Sequence, residues 1–436
     1  MNWPKSTVME LQRDGVLLVE DGNHGESRPR PDEFVKRGVA FIRAADMDAS
    51  DVLFDTASRI NDVARKRITK GIGAPGDILL SHKGTVGKVA LVPDDAPPFV
   101  CSPQTTFWRT LKGDRLDRRY LHAYLRSPYF HQQLASRAGE TDMAPYVSLT
   151  SQRGLHVLMP DIDIQRRIGS IVGALDAKIS VERKIKGTLA DIARALFQSW
   201  FVDFDPVRAK SLGSSSSLPA SLESLFPDTF EESELGQIPS GWTVGSLDQI
   251  AHFLNGLALQ RFPPNENGSL PVIKIAQLKA GNTEGADLAS PNLDPGYIVQ
   301  DGDVLFSWSG SLECVVWSGG KGALNQHLFK VTSKDYPKWF FYLWIHRHLD
   351  EFRRIAAAKA TTMGHIQRYH LSEAKILLPH KKLLDAADRI IGPLIESINV
   401  RAVQSKILGR IRDLLLPKLI SGELAIEDDA EFGVVK

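Results

Sequence analysis

A mixed α/β fold (α+β), with two similar domains in tandem and a long helix after each, is what the 436 residues predict. Three observations carry that reading. Ile164, Ile168, Ile171, Leu175, Ile185, Leu189, Ile192 and Leu196 fall at the 4-3-4 steps of a heptad seam, the pattern of one helix packing along another. Leu383, Ala387, Ile390, Leu394, Leu408, Ile411 and Leu415 repeat that seam at a shift of 219 residues, and Pro160 and Pro379 precede the two helices at the same shift. The third is a local match between GDILLSHKGTVG (76–87) and GDVLFSWSGSLE (302–313). Repetition of seam, entry proline and local motif marks a tandem duplication.

In chain order, residues 1–160 are expected as the first domain and 161–202 as its helix. A linker (203–241), the second domain (242–379), its helix (380–421) and a tail (422–436) follow. The first domain shows β-like runs at 16–20, 39–47, 77–81, 87–92 and 105–110, then a helix over 117–137 and a strand at 155–160 that ends on the proline. The second repeats the order: 271–278 stands for 39–47, 304–308 for 77–81 and 324–331 for 105–110. A helix over 339–358 and the run 375–379 complete it. The linker reads as a simple tether, with a Ser-rich tract (211–221) and an acidic stretch (230–236). The two long helices are expected to pack as an antiparallel coiled coil. Polar residues interrupt both seams, Lys178 and Glu182 in one and Ser397, Arg401 and Gln404 in the other. Glu182 and Arg401 hold equivalent positions and are expected to meet as a register pin.

Composition narrows the function classes. A net charge of +1 excludes binding of nucleic acid through bulk positive charge. Residues 1–155 carry 22 Lys and Arg against 19 Asp and Glu, and 237–378 carry 13 against 12, so any such contact must come from placed side chains. Cys101 and Cys314 are too few for a disulfide framework or a zinc site and read as buried thiols. The longest apolar run is seven residues, 339–345, far short of the ~18 that cross a bilayer. A cytoplasmic location is the default expectation.

Catalytic motifs do not emerge. GTVGK (84–88) lacks the spacing that wraps a phosphate. Ala96-Pro-Pro-Phe99 has Ala where an amino-methyltransferase needs an amide or carboxylate to hold its target amine. Asp350, Glu373 and Lys375 could be drawn as a nuclease triad, but a Glu-x-Lys pair leading a β-run is ordinary. His346 and His348 sit on a helix and read as structural. No metal site and no cofactor are expected in this chain.

What the sequence does place, at the tips of its extended runs, is a set of side chains able to bond base edges. In the first domain these are Arg43, Ser81, His82, Lys83, Gly84, Thr85, Lys88 and Gln104. In the second they are Lys274, Gln277, Ser307, Trp308, Ser309, Asn325, Gln326 and His327, with Trp308 as an exposed tip able to stack or wedge. Lys and Arg there would also hold phosphates, which positions without specifying.

The layout, together with SWFVDFDPVRAK (199–210), FPDTFEESELGQIPSGW (226–242) and LLLPKLISGEL (414–424), resembles the specificity subunits of type I restriction–modification systems. The resemblance implies two target-recognition domains, each reading one half of a split, asymmetric site in double-stranded DNA. It implies helices that space those domains and dock two modification subunits. Those partners would bring S-adenosylmethionine and adenine methyl transfer, and a motor-nuclease subunit would add restriction. The first helix, at ~1.5 Å per residue, is a ruler of roughly 55 Å.

Overall fold

The computed structural model of the chain describes residues 3–48, 51–138, 145–214, 216, 218–266, 268–358 and 364–424. The chain divides into two compact units, residues 1–179 with 407–436 and residues 180–406. Each unit thus joins one α/β domain to a stretch of both long helices.

The first domain is organised by strand alternation. Thr105–Thr110 pairs antiparallel with Leu17–Asp21 on one side and with Ile78–Ser81 on the other, and Val89–Leu91 lies beyond. Successive side chains of a strand point to opposite faces. Ile78, Leu80 and Trp108 therefore enter one core with Tyr120, Tyr124 and Phe130, while Leu79 and Phe107 enter a second core. That second core is shared with another sheet, in which Val39–Ile42 runs parallel to Phe99–Cys101 and Arg59–Ile60 and Phe34–Val35 form the far edge. Strands covered on both faces need unbroken apolar runs, which ILL (78–80) and the Phe107–Trp108 pair supply.

The second domain repeats the plan. Leu328–Thr332 lies between His252–Asn255 and Val304–Ser307, with Cys314–Val316 outside, and Leu270–Ile273 runs parallel to Gly322–Leu324. Val304 and Phe306 face one core and Leu305 another. Cys101 and Cys314 are both buried, and burial pushes their thiols well above the ordinary range.

Several elements differ from the sequence expectation. The run 39–47 is a strand only to Ile42; Arg43 then caps a 3₁₀ turn, its amide donating to Asp46 at 2.9 Å. The run 271–278 breaks at the matching point into strand Leu270–Ile273 and helix Ile275–Ala280, with Lys274 as the cap. Periodicity alone does not separate strand from helix in short apolar runs; the cap-forming side chains Asp46 and Gln277 decide it. The helix expected over 117–137 is two, Arg118–Leu125 and Pro128–Ala138, since Pro128 has no amide hydrogen to continue the first ladder.

The long helices run Ile162–Phe197, followed by a π-helical turn Gln198–Val202, and Lys381–Ser421. In the first unit Ile168 and Val172 share a core with Leu416, Leu419 and Ile420, and Asp176 accepts from both Arg126 and Arg412. In the second unit Ala193 and Phe197 share a core with Leu383, Ala387 and Ile391, and Arg401 Nη1 donates to Glu182 at 3.0 Å. Rising numbers on one helix meet falling numbers on the other, so the pairing is antiparallel. The Glu182–Arg401 pin forms as expected.

The seam itself is corrected in part. Ile168 is buried, and Leu175, Ile185, Leu189, Leu196, Leu394, Leu408 and Leu415 are half-buried. Ile171, Ile192, Ile390 and Ile411 instead turn outward, 36% to 42% exposed, while Val172, Ile179, Ala193, Ile391 and Ala402 take the interior places. Each helix serves both its partner and an α/β domain, so its buried stripe is wider than a strict two-helix seam and turned by about one position.

The linker is part of the second unit's core, not a simple tether. Phe204, Val207, Leu222, Phe226 and Ile238 are buried there, and Phe230–Ser233 pairs with Gly236–Pro239 as a hairpin. Trp242 packs against Phe201 and Phe204 at the end of the first helix (ring centroids 5.9 and 5.8 Å). In the first unit Trp3 Nε1 donates to Ile420 O at 2.9 Å. Phe201 and Ile420 are the same position under the 219-residue shift, so a tryptophan opening each domain caps the end of the other copy's helix. Among the described residues, no helix is long and apolar enough to cross a membrane.

Candidate nucleic-acid interface

Each domain ends in a tip built by the same bonds. Strand Ile78–Ser81 leads into His82–Gly84, and strand Val304–Ser307 into Trp308–Gly310. Gly84 N donates to Pro145 O at 3.0 Å and Val147 N to His82 O at 2.9 Å; Gly310 N donates to Gly364 O at 2.8 Å and Ile366 N to Trp308 O at 2.9 Å. Gly84 and Gly310 have φ of 77° and 63°, the left-handed region where a side chain is strained. Behind each tip the neighbouring strand turns on a glycine that nothing larger could replace. A Cβ at Gly22 would lie 1.8 Å from Ser102 O, and one at Gly256 2.2 Å from Asn325 O.

The two serines of the shared motif close the turn. Ser81 Oγ accepts from Lys88 N at 2.8 Å; Ser307 Oγ accepts from Glu313 N at 2.8 Å and donates to Ser311 O at 2.7 Å. Both are fully buried, with their hydroxyls committed inside the protein.

Beyond that common frame the chemistry diverges. In the first domain His82 is buried, its Nδ1 3.0 Å from Val147 O and its Nε2 3.2 Å from Asp21 Oδ1 without hydrogen-bond alignment. Lys83, Gly84 and Thr85 are exposed, and Lys83 Nζ stands 5.7 Å over the Tyr146 ring. Lys88 Nζ donates to Ala44 O and Met47 O, both at 3.0 Å, and so ties the tip to the 3₁₀ turn. Arg43, Lys83 and Gln104, far apart in sequence, line one cavity of about 350 Å³. Arg28, Phe34, Phe41 and Pro103 are also part of its wall. Glu33 fixes that wall: it accepts from Arg67 Nη1 at 2.8 Å and from Arg30 N at 2.7 Å. The Arg67 guanidinium holds its carboxyl down to about 2.

In the second domain Ser307, Trp308, Ser309, Asn325, Gln326 and His327 come together. Trp308 is half-buried rather than an exposed tip. Its Nε1 donates to Asn255 Oδ1 at 3.0 Å and to Gln326 O at 3.1 Å, and its ring packs on His327 and Phe329. Ser309 Oγ lies 3.0 Å from His327 Nδ1, and Gln326 Nε2 lies 3.3 Å from His327 Nε2. Ser309 and Asn325 are buried; Asn325 Oδ1 accepts from His327 N at 3.2 Å. Lys274 is exposed and paired with Asp287, and Gln277 is buried, its Oε1 accepting from Lys274 N at 3.3 Å. These two stand at the strand end that matches Arg43.

Sequence reasoning missed Tyr146 and His365, which face the tips, and Asp21 and Asn255, which brace them. It also missed Arg28 and Phe34. Tyr146 and His365 lie 219 residues apart, so the shift that exposes the helices extends to them. Arg28 sits in an irregular stretch and Phe34 on a two-residue strand, both too short to carry a periodic signal.

Residues 239–391 match the family described as the type I restriction modification DNA specificity domain. The chain is 24% identical over 441 residues to the type I restriction enzyme HindI specificity subunit of Haemophilus influenzae, covering 88% of this chain and 94% of that protein. It is 24% identical over 388 residues to the MjaIX specificity subunit of Methanocaldococcus jannaschii, covering 85% and 82%. The crystal structure of a type I restriction-modification system S subunit from M. genitalium has the same fold, with a TM-score of 0.56, 13% identity and 96% of both chains covered.

Proposed function

The chain belongs to the family of type I restriction–modification specificity subunits, and on that premise we propose that its two domains read the two halves of a bipartite, asymmetric site in double-stranded DNA. One observation supports this above the rest: two tips of identical backbone bonding carry unlike side chains, His82, Lys83 and Tyr146 against Trp308, Ser309 and His365. A common frame presents a reader to a groove, and a change of donors and acceptors changes the base that is read. Two unlike readers on one chain fit two unlike half-sites.

The long helices offer the partner surface. Ile171, Val181 and Ile192 are exposed on the first, and Ile390, Val400 and Ile411 on the second, each pair 219 residues apart. A surface that occurs twice fits two copies of one partner, the modification subunit. In this reading the chain supplies recognition alone, in the cytoplasm. S-adenosylmethionine and adenine methyl transfer belong to the modification subunits, and cleavage to a motor-nuclease subunit.

The test is to express the chain with its modification partner and map methylated adenines in the host genome. One split motif with two different halves is expected, and exchange of residues 1–160 for those of a relative should change one half only. Methylation unrelated to any split motif would overturn the proposal. A scaffold that binds proteins but not DNA would retard a site-bearing duplex no better than a scrambled one.

A further inference from the structure

The cavity beside the first tip has a composition that base-edge hydrogen bonding does not explain. Beside the polar Ser102 and Gln104, its wall holds the apolar Pro29, Phe34, Phe41 and Pro103 together with the cationic Arg28, Arg43 and Lys83. Phe34 is 41% exposed, on the edge strand of its sheet, and meets the buried Phe41 ring edge-on at 5.8 Å. The Glu33–Arg67 pair holds the residue before it. An aromatic ring kept at the surface by a braced turn shares this cavity with three exposed cations, Arg28, Lys83 and Arg43, the last also bonded through Nε to Asp46 at 3.2 Å. Such a place suits something apolar that travels with negative charge.

In duplex DNA that description selects one group. Phosphates answer the cations, and the thymine C5-methyl is the apolar feature of the major-groove edge. Guanine, adenine and cytosine present only donors and acceptors there. We propose that the first domain reads a thymine in its half-site through the methyl group, which seats on Phe34, with Arg28 and Arg43 holding the flanking backbone. This rests on the chain reading DNA as set out above, and it adds a base and a residue to that reading.

The experiment uses the chain in complex with its modification partner and a duplex carrying the mapped site. Each thymine of the first half-site is replaced in turn by deoxyuridine, which removes only the methyl. Binding should weaken roughly fourfold at one position, the factor expected for one buried methyl group. In Phe34→Ala the same replacement should have no effect, while discrimination at the second half-site stays intact and shows that the variant is folded. A half-site without thymine, no deoxyuridine penalty at any position, or a penalty that survives in Phe34→Ala would each overturn the inference. Equal binding to sited and scrambled duplexes would instead overturn the proposed function, so the two failures are distinguishable.

Discussion

His82 and Trp308 occupy the same place in their domains, the first residue past the central hairpin strand, and each is braced by the strand that ends in Asp21 or Asn255. In the first domain the brace is a histidine ring beside a carboxylate; in the second it is an indole N–H donated to an amide. The backbone bonds that carry them are the same two in each copy. The difference teaches that the frame tolerates exchange of the side chains it carries, because main-chain bonds and a buried serine hold the tip together. Around that frame the surroundings differ in charge: Arg43, Lys83 and Gln104 line the first cavity, whereas His327, Gln326 and Ser309 cluster at the second tip.

The largest effect should separate the two frames themselves. Asp77 and Asp303 occupy matching sites and cap matching turns, accepting from Ala74 N and Gln300 N at 2.8 Å each. Asp77 is fully buried against Arg109, whereas Asp303, with a side chain 22% exposed, pairs with Lys330. Breaking a buried ion pair from one side strands a charge. Asp77→Asn should cost ~3–5 kcal/mol in urea unfolding of the first unit, and Asp303→Asn about 1–2 kcal/mol in the second. Equal costs would mean the two frames are alike in energy as well as geometry.

Next comes the reading chemistry. Lys83→Ala should weaken methylation at its own half-site by ~10- to 100-fold, the range of one base contact, and leave the other half untouched. Gln326→Ala should do the mirror image. An effect on both halves from either change would end the idea of independent readers.

The turn serines follow. Ser81→Ala strands the Lys88 amide and should cost about 1 kcal/mol; Ser307→Ala strands the Glu313 amide and the Ser311 carbonyl and should cost about 2 kcal/mol. Differential scanning calorimetry of the two variants checks the order.

A further difference is in acid. Burial, reinforced by Arg126, lowers His122 to about 3, and burial lowers His346 to about 4. An unfolded histidine titrates near 6.5. Below that pH the unfolded state takes up a proton that the folded state refuses, so stability falls as pH falls, by at most ~1.4 kcal/mol per unit for each group. The loss should run from 6.5 to about 3 in the first unit and to about 4 in the second. The two should diverge only in the last unit of pH, and His122→Phe should flatten the first curve.

Much of the fold was legible because repetition amplifies weak signals. The 219-residue shift located both helices, and the Glu182–Arg401 bond joins two positions that the shift makes equivalent. Strand runs such as 78–81 and 304–307 were legible because strands covered on both faces are apolar throughout. The site was legible only as a set of candidates. Polar residues at strand ends look alike in sequence whether, like Ser81 and Ser307, they close a turn or, like Lys83 and Gln104, they line a cavity.

From its sequence this protein is determined as a duplicated chain with two like frames, unlike tip residues and matched helices, since periodicity and self-similarity are local properties that survive without coordinates. Tertiary structure alone decided which polar tips are buried and which are offered, that Ile171 and Ile390 turn outward, that the Ser-rich and acidic connection joins the second core, and that Arg28 and Phe34 meet Lys83. The reason is physical: burial and cavity shape depend on contacts between residues distant along the chain, and no pattern within a short window records them.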